Sequence, residues 1–298
     1  MTSISVQNLT KDFSQRVGLR RTAFRAVDRV SFELTPGRTV ALVGESGSGK
    51  STIARMLAKL EKPSSGSIDV RLDDGTAVPG GQYRRHVQMV FQDPFASLNP
   101  FHSIEHHIAR PIRIHDRARG AAGVHSRVLE MLERVNLTPA EDMAARRPHE
   151  LSGGQRQRVA IARALAPGAQ VLIADEPVSM LDVSIRLGVL NLMGRLQRED
   201  DLAVLYITHD LATARHFSDE ILVLYHGRIV ERGPADDVIL HPQHDYTKLL
   251  ALAAPDPEKI GKVVSSEAAP DRAGLDNSVC FNHFTGAWET TDLAPAHA

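Results

Sequence analysis

In the run Gly44-Glu45-Ser46-Gly47-Ser48-Gly49-Lys50-Ser51-Thr52, a glycine-rich turn ends in lysine and a hydroxyl residue. The spacing from Gly44 to Ser51 fits G-x-x-x-x-G-K-[ST], the pattern of a phosphate-binding loop. Glycines let successive backbone N–H groups turn inward around an anion, and a helix predicted over Thr52 to Leu60 adds the positive end of its dipole. Lys50 supplies a charge for the β- and γ-phosphates, and Ser51 a hydroxyl for Mg²⁺.

Other residues could act on a phosphate held there. The apolar run Val171 to Ala174 ends in Asp175, followed by Glu176. Adjacent acids at a strand end often only cap a helix; beside a phosphate loop the first can hold Mg²⁺ and the second can orient or deprotonate an attacking water. His209 follows the apolar run Ala203 to Ile207, at the strand edge where α/β proteins bind ligands, as a structural residue, a γ-phosphate donor or an orienter of Glu176. Gln92, after Val87 to Phe91, is similarly placed to touch Mg²⁺ or the water. Leu151-Ser152-Gly153-Gly154-Gln155 reads as a second phosphate-binding helix start, with Ser152 as N-cap. One nucleotide needs one cradle, so a second points to another nucleotide or to a phosphate presented by another subunit.

The elements that must position these groups are legible as alternating strands and helices. Ile4 to Leu9 and Val30 to Leu34 read as strands, and the basic segment holding Arg16, Arg20, Arg21 and Arg25 as a solvated loop. Ile68, Val70 and Leu72 alternate before a turn at Asp73-Asp74-Gly75. Between about Phe95 and Leu165 helical stretches dominate, among them Val124 to Val135. Val171 to Ala174, Ala203 to Ile207 and Ile221 to Tyr225 are continuous apolar runs, too apolar for a one-sided sheet, and Ile185, Val189, Leu192, Met193 and Leu196 recur at helical spacing between the first two. The 298 residues, 42% hydrophobic and 24% charged with a net charge of -1, suit a soluble α/β chain with no global attraction to nucleic acid or anionic lipid. A single cysteine, Cys280, forbids an internal disulfide. Met1 to Thr10 carries no signal-type apolar run, and no segment approaches the ~18 apolar residues of a membrane span, so any membrane association is expected through a partner.

In order and spacing, Gly44 to Ser51, Gln92, Leu151 to Gln155, Val171 to Glu176, Ser179-Met180-Leu181-Asp182 and His209 resemble the ATP-binding subunit of ABC transporters, over about residues 4 to 255. The resemblance implies a P-loop ABC ATPase cassette: an antiparallel β subdomain, a parallel-sheet nucleotide-binding core and a helical subdomain over about 95–165, together residues 1–255. Residues 256–298 would form a flexible or loosely docked C-terminal extension. Carried over, residues 44–52 cradle ATP, Lys50 and Ser51 being the Walker A phosphate and Mg²⁺ residues. Asp175 and Gln92 join Ser51 at Mg²⁺, Glu176 is the base, His209 assists at the γ-phosphate, and Phe13 stacks on adenine. Ser152, Gly153, Gly154 and Gln155 would face the γ-phosphate of an opposite cassette, with Asp182 linking the two sites.

Gln88 to Pro100, Ile173 to Pro177 and His241 to Leu250 further resemble the peptide importer branch, which includes dipeptide, oligopeptide and nickel systems. That branch implies ATP-driven import of di- or oligopeptides or a related small solute. Its partners would be two membrane permeases, a second cassette and, indirectly, an extracytoplasmic solute-binding protein, the chain lying peripherally on the cytoplasmic face of the inner membrane. Phe95 to Ile104 would meet a permease coupling helix. Val178 and Met180 replace the branch's usual Thr and Ala, Asp245 stands where Pro is usual, and Cys280 alone cannot supply the branch's iron–sulfur cysteine cluster. The alternatives are a soluble ABC-type ATPase acting on nucleic acid or ribosomes, disfavoured because Arg146, Arg147, Arg156 and Arg158 lack interleaved aromatics, and an exporter subunit. His102, His106, His107, His115 and His125 read as solvated helix residues rather than metal ligands, and Cys280 with His283 is a two-ligand gap without partners.

Overall fold

A computed structural model describes residues 1–17, 20–253 and 278–290. The chain begins with β1 (Thr2–Val17), β2 (Arg20–Leu34), β3 (Thr39–Val43), α1 (Lys50–Leu57) and β4 (Ser65–Leu72). A mainly helical stretch follows: α2 (Tyr83–His86), β5 (Val87–Val90), α3 (Pro94–Ser97), α4 (Ile104–Ile114), α5 (Gly120–Arg134), α6 (Ala140–Ala145) and α7 (Gly153–Leu165). Strands and helices then alternate through β6 (Val171–Asp175), α8 (Val183–Glu199), β7 (Ala203–Thr208), α9 (Leu211–Phe217) and β8 (Glu220–Tyr225). The last elements are β9 (Arg228–Pro234), α10 (Ala235–Leu240), α11 (Asp245–Ala253), β10 (Val279–Asn282) and β11 (Ala287–Thr290).

These elements form two compact units, the first from Met1–Ser3, Thr35–Arg38 and Val70–Leu205, the second from Ile4–Leu34, Thr39–Asp69 and the described residues from Tyr206 onward. In the first, β5 and β6 pair in parallel from Val87↔Val171 to Val90↔Ala174. Every residue of β6 is buried, as its unbroken apolar run requires for a strand covered on both faces. Val189, Leu192, Met193 and Leu196 of α8 are buried at the predicted helical spacing.

In the second unit β3 runs parallel to β8, from Val40↔Glu220 to Val43↔Val223. β9 returns antiparallel to β8, and β10 lies parallel to β9 with β11 folded back on it. All five residues of β3 are buried. β1 and β2 form a long antiparallel hairpin with β4 on the far side of β1. The structure corrects one expectation at this level. The basic segment read as a loop belongs to the hairpin, where Arg16 pairs with Arg21 and Arg25 with Asp12; backbone pairing sustains strands that carry no apolar alternation. Within the segment expected to be flexible or loosely docked, residues 279–290 form a ribbon hydrogen-bonded to β9. The remainder of that extension lies outside the described residues.

Helix α1 ends at Leu57, short of the predicted Leu60, because Lys59 takes φ +52° and Leu60 N–H reaches back to Arg55 O at 2.8 Å, a left-handed stop. The hairpin is fastened to the turn after β8. Asp28 N–H donates to Gly227 O at 2.9 Å, and its buried carboxylate accepts from Arg228 Nε at 2.7 Å and Arg25 Nη1 at 3.1 Å. Burial pushes the Asp28 carboxyl up, but the Arg228 hydrogen bond and the charges of Arg228, Arg25 and Arg29 outweigh it and hold the group below its ordinary 3.8. Its contribution to stability is therefore complete above 3.8 and is lost as the pH falls through the lower folded value. Asp28→Asn should cost about 3 kcal/mol in urea unfolding at neutral pH, with the gap from the parent closing in acid. A gap that stays constant down to acid pH would contradict the ion-pair account.

Candidate functional site

The phosphate-loop sequence leaves β3 at Val43 and enters α1 at Lys50. Lys50 is 4% exposed, and its ammonium donates to Gly44 O at 2.6 Å and Glu45 O at 2.7 Å. A buried cation needs such partners, and carbonyl oxygens of the same loop provide them. The glycines follow from what surrounds them. A Cβ on Gly44 would lie 2.2 Å from Leu224 O, and one on Gly49, which has φ +110°, would lie 2.4 Å from Ala26 O. Ser46, Gly47 and Ser51 are exposed, whereas Ser48 is buried and its carbonyl accepts from Gly227 N–H at 2.9 Å. Glu45, Gly49 and Thr52 are half-buried.

Two other predicted residues belong to this unit. Phe13 lies on β1 opposite Phe24, partly exposed, with the Lys11 ammonium 4.9 Å from its ring centroid. His209 is exposed after β7; the helix that follows is capped by Asp210, whose Oδ1 accepts from Ala212 N–H at 2.9 Å. Capping α9 falls to Asp210.

The first unit brings Gln92 and Glu176 together across 84 residues. Parallel register does this: Val90 pairs with Ala174, so each residue stands two places beyond the last paired position, and Gln92 Nε2 donates to Glu176 Oε2 at 2.9 Å. Asp175 ends β6, 7% exposed. Glu176 takes φ +45°, left-handed for a non-glycine residue, and its carbonyl accepts from Ser179 N–H at 3.2 Å and Ser179 Oγ at 3.0 Å. Such strain costs about 1–3 kcal/mol and is held only by surrounding bonds.

Ser152 caps α7 with a reciprocal pair: its Oγ accepts from Gln155 N–H at 3.3 Å, and Gln155 Oε1 accepts from Ser152 N–H at 2.9 Å. Gly153 and Gly154 lie against the Ser179–Ile185 segment, where a Cβ on Gly154 would come 2.6 Å from Ile185 Cγ2. Asp182 is the N-cap of α8, yet its exposed side chain makes no capping bond. Of the two unusual residues nearby, Val178 is buried and Met180 exposed. Among the described residues, no group of three or more His, Cys, Asp or Glu side chains is arranged to hold a metal ion. His102 stacks on His106 with ring centroids 3.9 Å apart, while His125 pairs with Glu105 and His283 with Glu231.

Residues 27–179 match the family model described as ABC transporter. The chain belongs to the ABC transporter family. It is 46% identical over 284 residues to the glutathione import ATP-binding protein GsiA of Shigella dysenteriae serotype 1, covering 91% of this chain and 45% of that protein. Identity, aligned length and both coverages are the same for GsiA of Escherichia coli strain K12. The chain thus spans under half the length of the curated relatives it matches. The ATP-binding cassette MJ0796, solved as a dimer in a post-hydrolysis state bound to ADP and Pi, is 30% identical with a TM-score of 0.66, covering 78% of this chain and 98% of that one. The cassette cbiO1 from Clostridium perfringens, part of the cbiONQ ABC transporter complex, is 26% identical with a TM-score of 0.66, covering 80% of this chain and 90% of that one. The ABC cassette fold expected from the motifs is the fold observed.

Tyr246 escaped the sequence reading as a site residue in this ABC cassette. Its hydroxyl accepts from Glu45 N–H at 2.8 Å, across 201 residues. The one available signal was its place in the His241 to Leu250 element.

Two substitutions test the local geometry. Gly49→Ala should cost about 2 kcal/mol or more in urea unfolding, since the left-handed backbone and the Ala26 carbonyl both resist a side chain. Ser152→Ala, which removes the reciprocal cap, should cost about 1 kcal/mol. Unchanged unfolding midpoints would contradict the respective accounts.

Proposed function

We propose that this chain is the ATP-binding and ATP-hydrolysing subunit of an ABC importer for di- or oligopeptides or a related small solute. The observation that carries hydrolysis is the Gln92–Glu176 pair at 2.9 Å, with Glu176 in a strained backbone next to the strand-end Asp175. Glu176 accepts a proton from the attacking water, and Gln92, by holding one of its oxygens, orients the other toward that water. Lys50 keeps the Gly44 carbonyl and turns its other N–H groups to phosphate oxygens, an ion pair replacing a bond to an uncharged acceptor. Residues Gly44 to Thr52 supply N–H and hydroxyl groups to the phosphates, His209 donates toward the γ-phosphate, and Phe13 offers its ring to adenine.

Ser51, Gln92 and Asp175 would hold Mg²⁺: a hydroxyl, an amide and a carboxylate are hard oxygen donors of the kind that ion takes. When bound, the ion offsets phosphate charge.

The import reading is supported by the relatives themselves, glutathione import ATP-binding proteins. A second cassette is supported by exposed Met180, Val183 and Leu187 beside the Ser152–Gln155 and Asp182 segments, apolar side chains suited to a partner surface. Ser152 and Gly154 then address the γ-phosphate held by that partner, and Asp182 links the two sites. Phe95 and Phe101, both exposed, support contact with one of two membrane permeases; Ile104 is fully buried and takes no direct part. An extracytoplasmic solute-binding protein delivers the cargo. No described helix is long and apolar enough to cross a membrane. The chain works peripherally, on the cytoplasmic face of the membrane.

Glu176→Gln should retain ATP binding, slow hydrolysis by about a hundredfold or more and accumulate a closed ATP-bound dimer on size exclusion. Parental turnover in that variant would sink the assignment of the base. Affinity purification from detergent-solubilised native membranes should bring down two permeases; ribosomes or DNA-processing proteins in their place would overturn the transport reading.

A further inference from the structure

We propose that Tyr246 is a positioning residue of the phosphate loop, and that the C-terminal ribbon of β10 and β11 sets its position through Glu231. The inference rests on the reading of that loop as an ATP cradle. A trans peptide points its N–H and its carbonyl in opposite directions. The peptide joining Gly44 to Glu45 has its N–H on the Tyr246 hydroxyl at 2.8 Å and its carbonyl on the Lys50 ammonium at 2.6 Å. Whatever fixes the Tyr246 oxygen therefore fixes the plane that holds the lysine.

Tyr246 is well placed to do so. Its side chain is 1% exposed, and its ring packs against Tyr225 with centroids 4.3 Å apart. Its N–H donates to His244 Nδ1 at 3.1 Å. The backbone just before it is pinned by Glu231, fully buried on β9, which accepts from Gln243 N–H at 2.9 Å and His244 N–H at 3.0 Å. A buried carboxylate is costly unless it is paired and hydrogen-bonded. The ribbon supplies a further partner: His283 Nε2 lies 2.7 Å from Glu231 Oε1, and a carboxylate can only accept, so the imidazole donates. Phe281 packs on both His283 and Trp288, and Trp288 reaches His244 at 6.1 Å between centroids. A continuous chain of contacts thus runs from the ribbon through Glu231 and residues 243–246 to the phosphate loop.

The test compares the parent, Tyr246→Phe, His283→Ala, His283→Gln and the Tyr246→Phe/His283→Ala double variant in the full chain. ATP affinity is measured by calorimetry, the KM and kcat of ATP hydrolysis by steady-state kinetics, and integrity by thermal melting. Tyr246→Phe removes one hydroxyl and keeps the ring, so ATP should bind about fivefold more weakly. KM should rise while kcat holds, because the lost contact serves binding and transition state alike. His283→Ala should weaken ATP binding in the parent but add nothing in the Tyr246→Phe background, and His283→Gln, which retains a donor, should restore affinity. Unchanged affinity in Tyr246→Phe, or a loss that only tracks the melting midpoint, would overturn the positioning role. Additive effects of the two substitutions would overturn the path through Glu231. A parent chain that binds no ATP would overturn the nucleotide reading and this inference with it, an outcome distinct from parental binding with an indifferent variant.

Discussion

Lys50 carries a charge in a place where water barely reaches. At 4% exposure its ammonium depends on oxygen atoms supplied by the turn that precedes it, and Gly44 O and Glu45 O stand at 2.6 and 2.7 Å. To place those oxygens the turn must press against neighbouring backbone. The β3–β8 register leads to one contact: Val43 pairs with Val223, so Gly44 meets Leu224 O. The hairpin supplies the other through Ala26 O, at Gly49. The loop is thus shaped by main-chain atoms on two sides, which is why glycine is demanded at those positions.

A comparable economy governs Gln92 and Glu176. Neither is placed by a long loop; each follows a parallel strand by the same number of residues, and the sheet's own register sets them side by side. The stiffness of paired strands then fixes where both side chains start, and only their outer torsions are left to adjust.

Much of this was legible because it is local. The phosphate loop, the Ser152 cap and the buried strands β3, β6 and β7 each depend on residues close in sequence, where glycine spacing, capping chemistry and continuous apolar runs leave direct marks. The Gln92–Glu176 and Glu45–Tyr246 bonds could not be read in that way, since they arise from register and docking across 84 and 201 residues. The hairpin through Arg16–Arg25 was missed for a different reason: charged residues carry no period-two pattern, and the pairing that makes them strands lies in the backbone. The ribbon was hidden in a polar tail, where Cys280 and Phe281 are too few to announce a strand; its anchor is a carboxylate on β9 that needs His283.

Glu176 occupies a backbone conformation that glycine adopts freely and that a side-chain-bearing residue adopts at a cost of about 1–3 kcal/mol. Relaxing that strain and deleting the carboxylate are therefore the same substitution. A library of variants selected for heat resistance alone would enrich glycine at 176 and with it chains that have lost the acid beside Asp175. Directed evolution of a hardier cassette has to couple its selection to turnover, or it will climb toward a better-folded protein with an emptied chemistry.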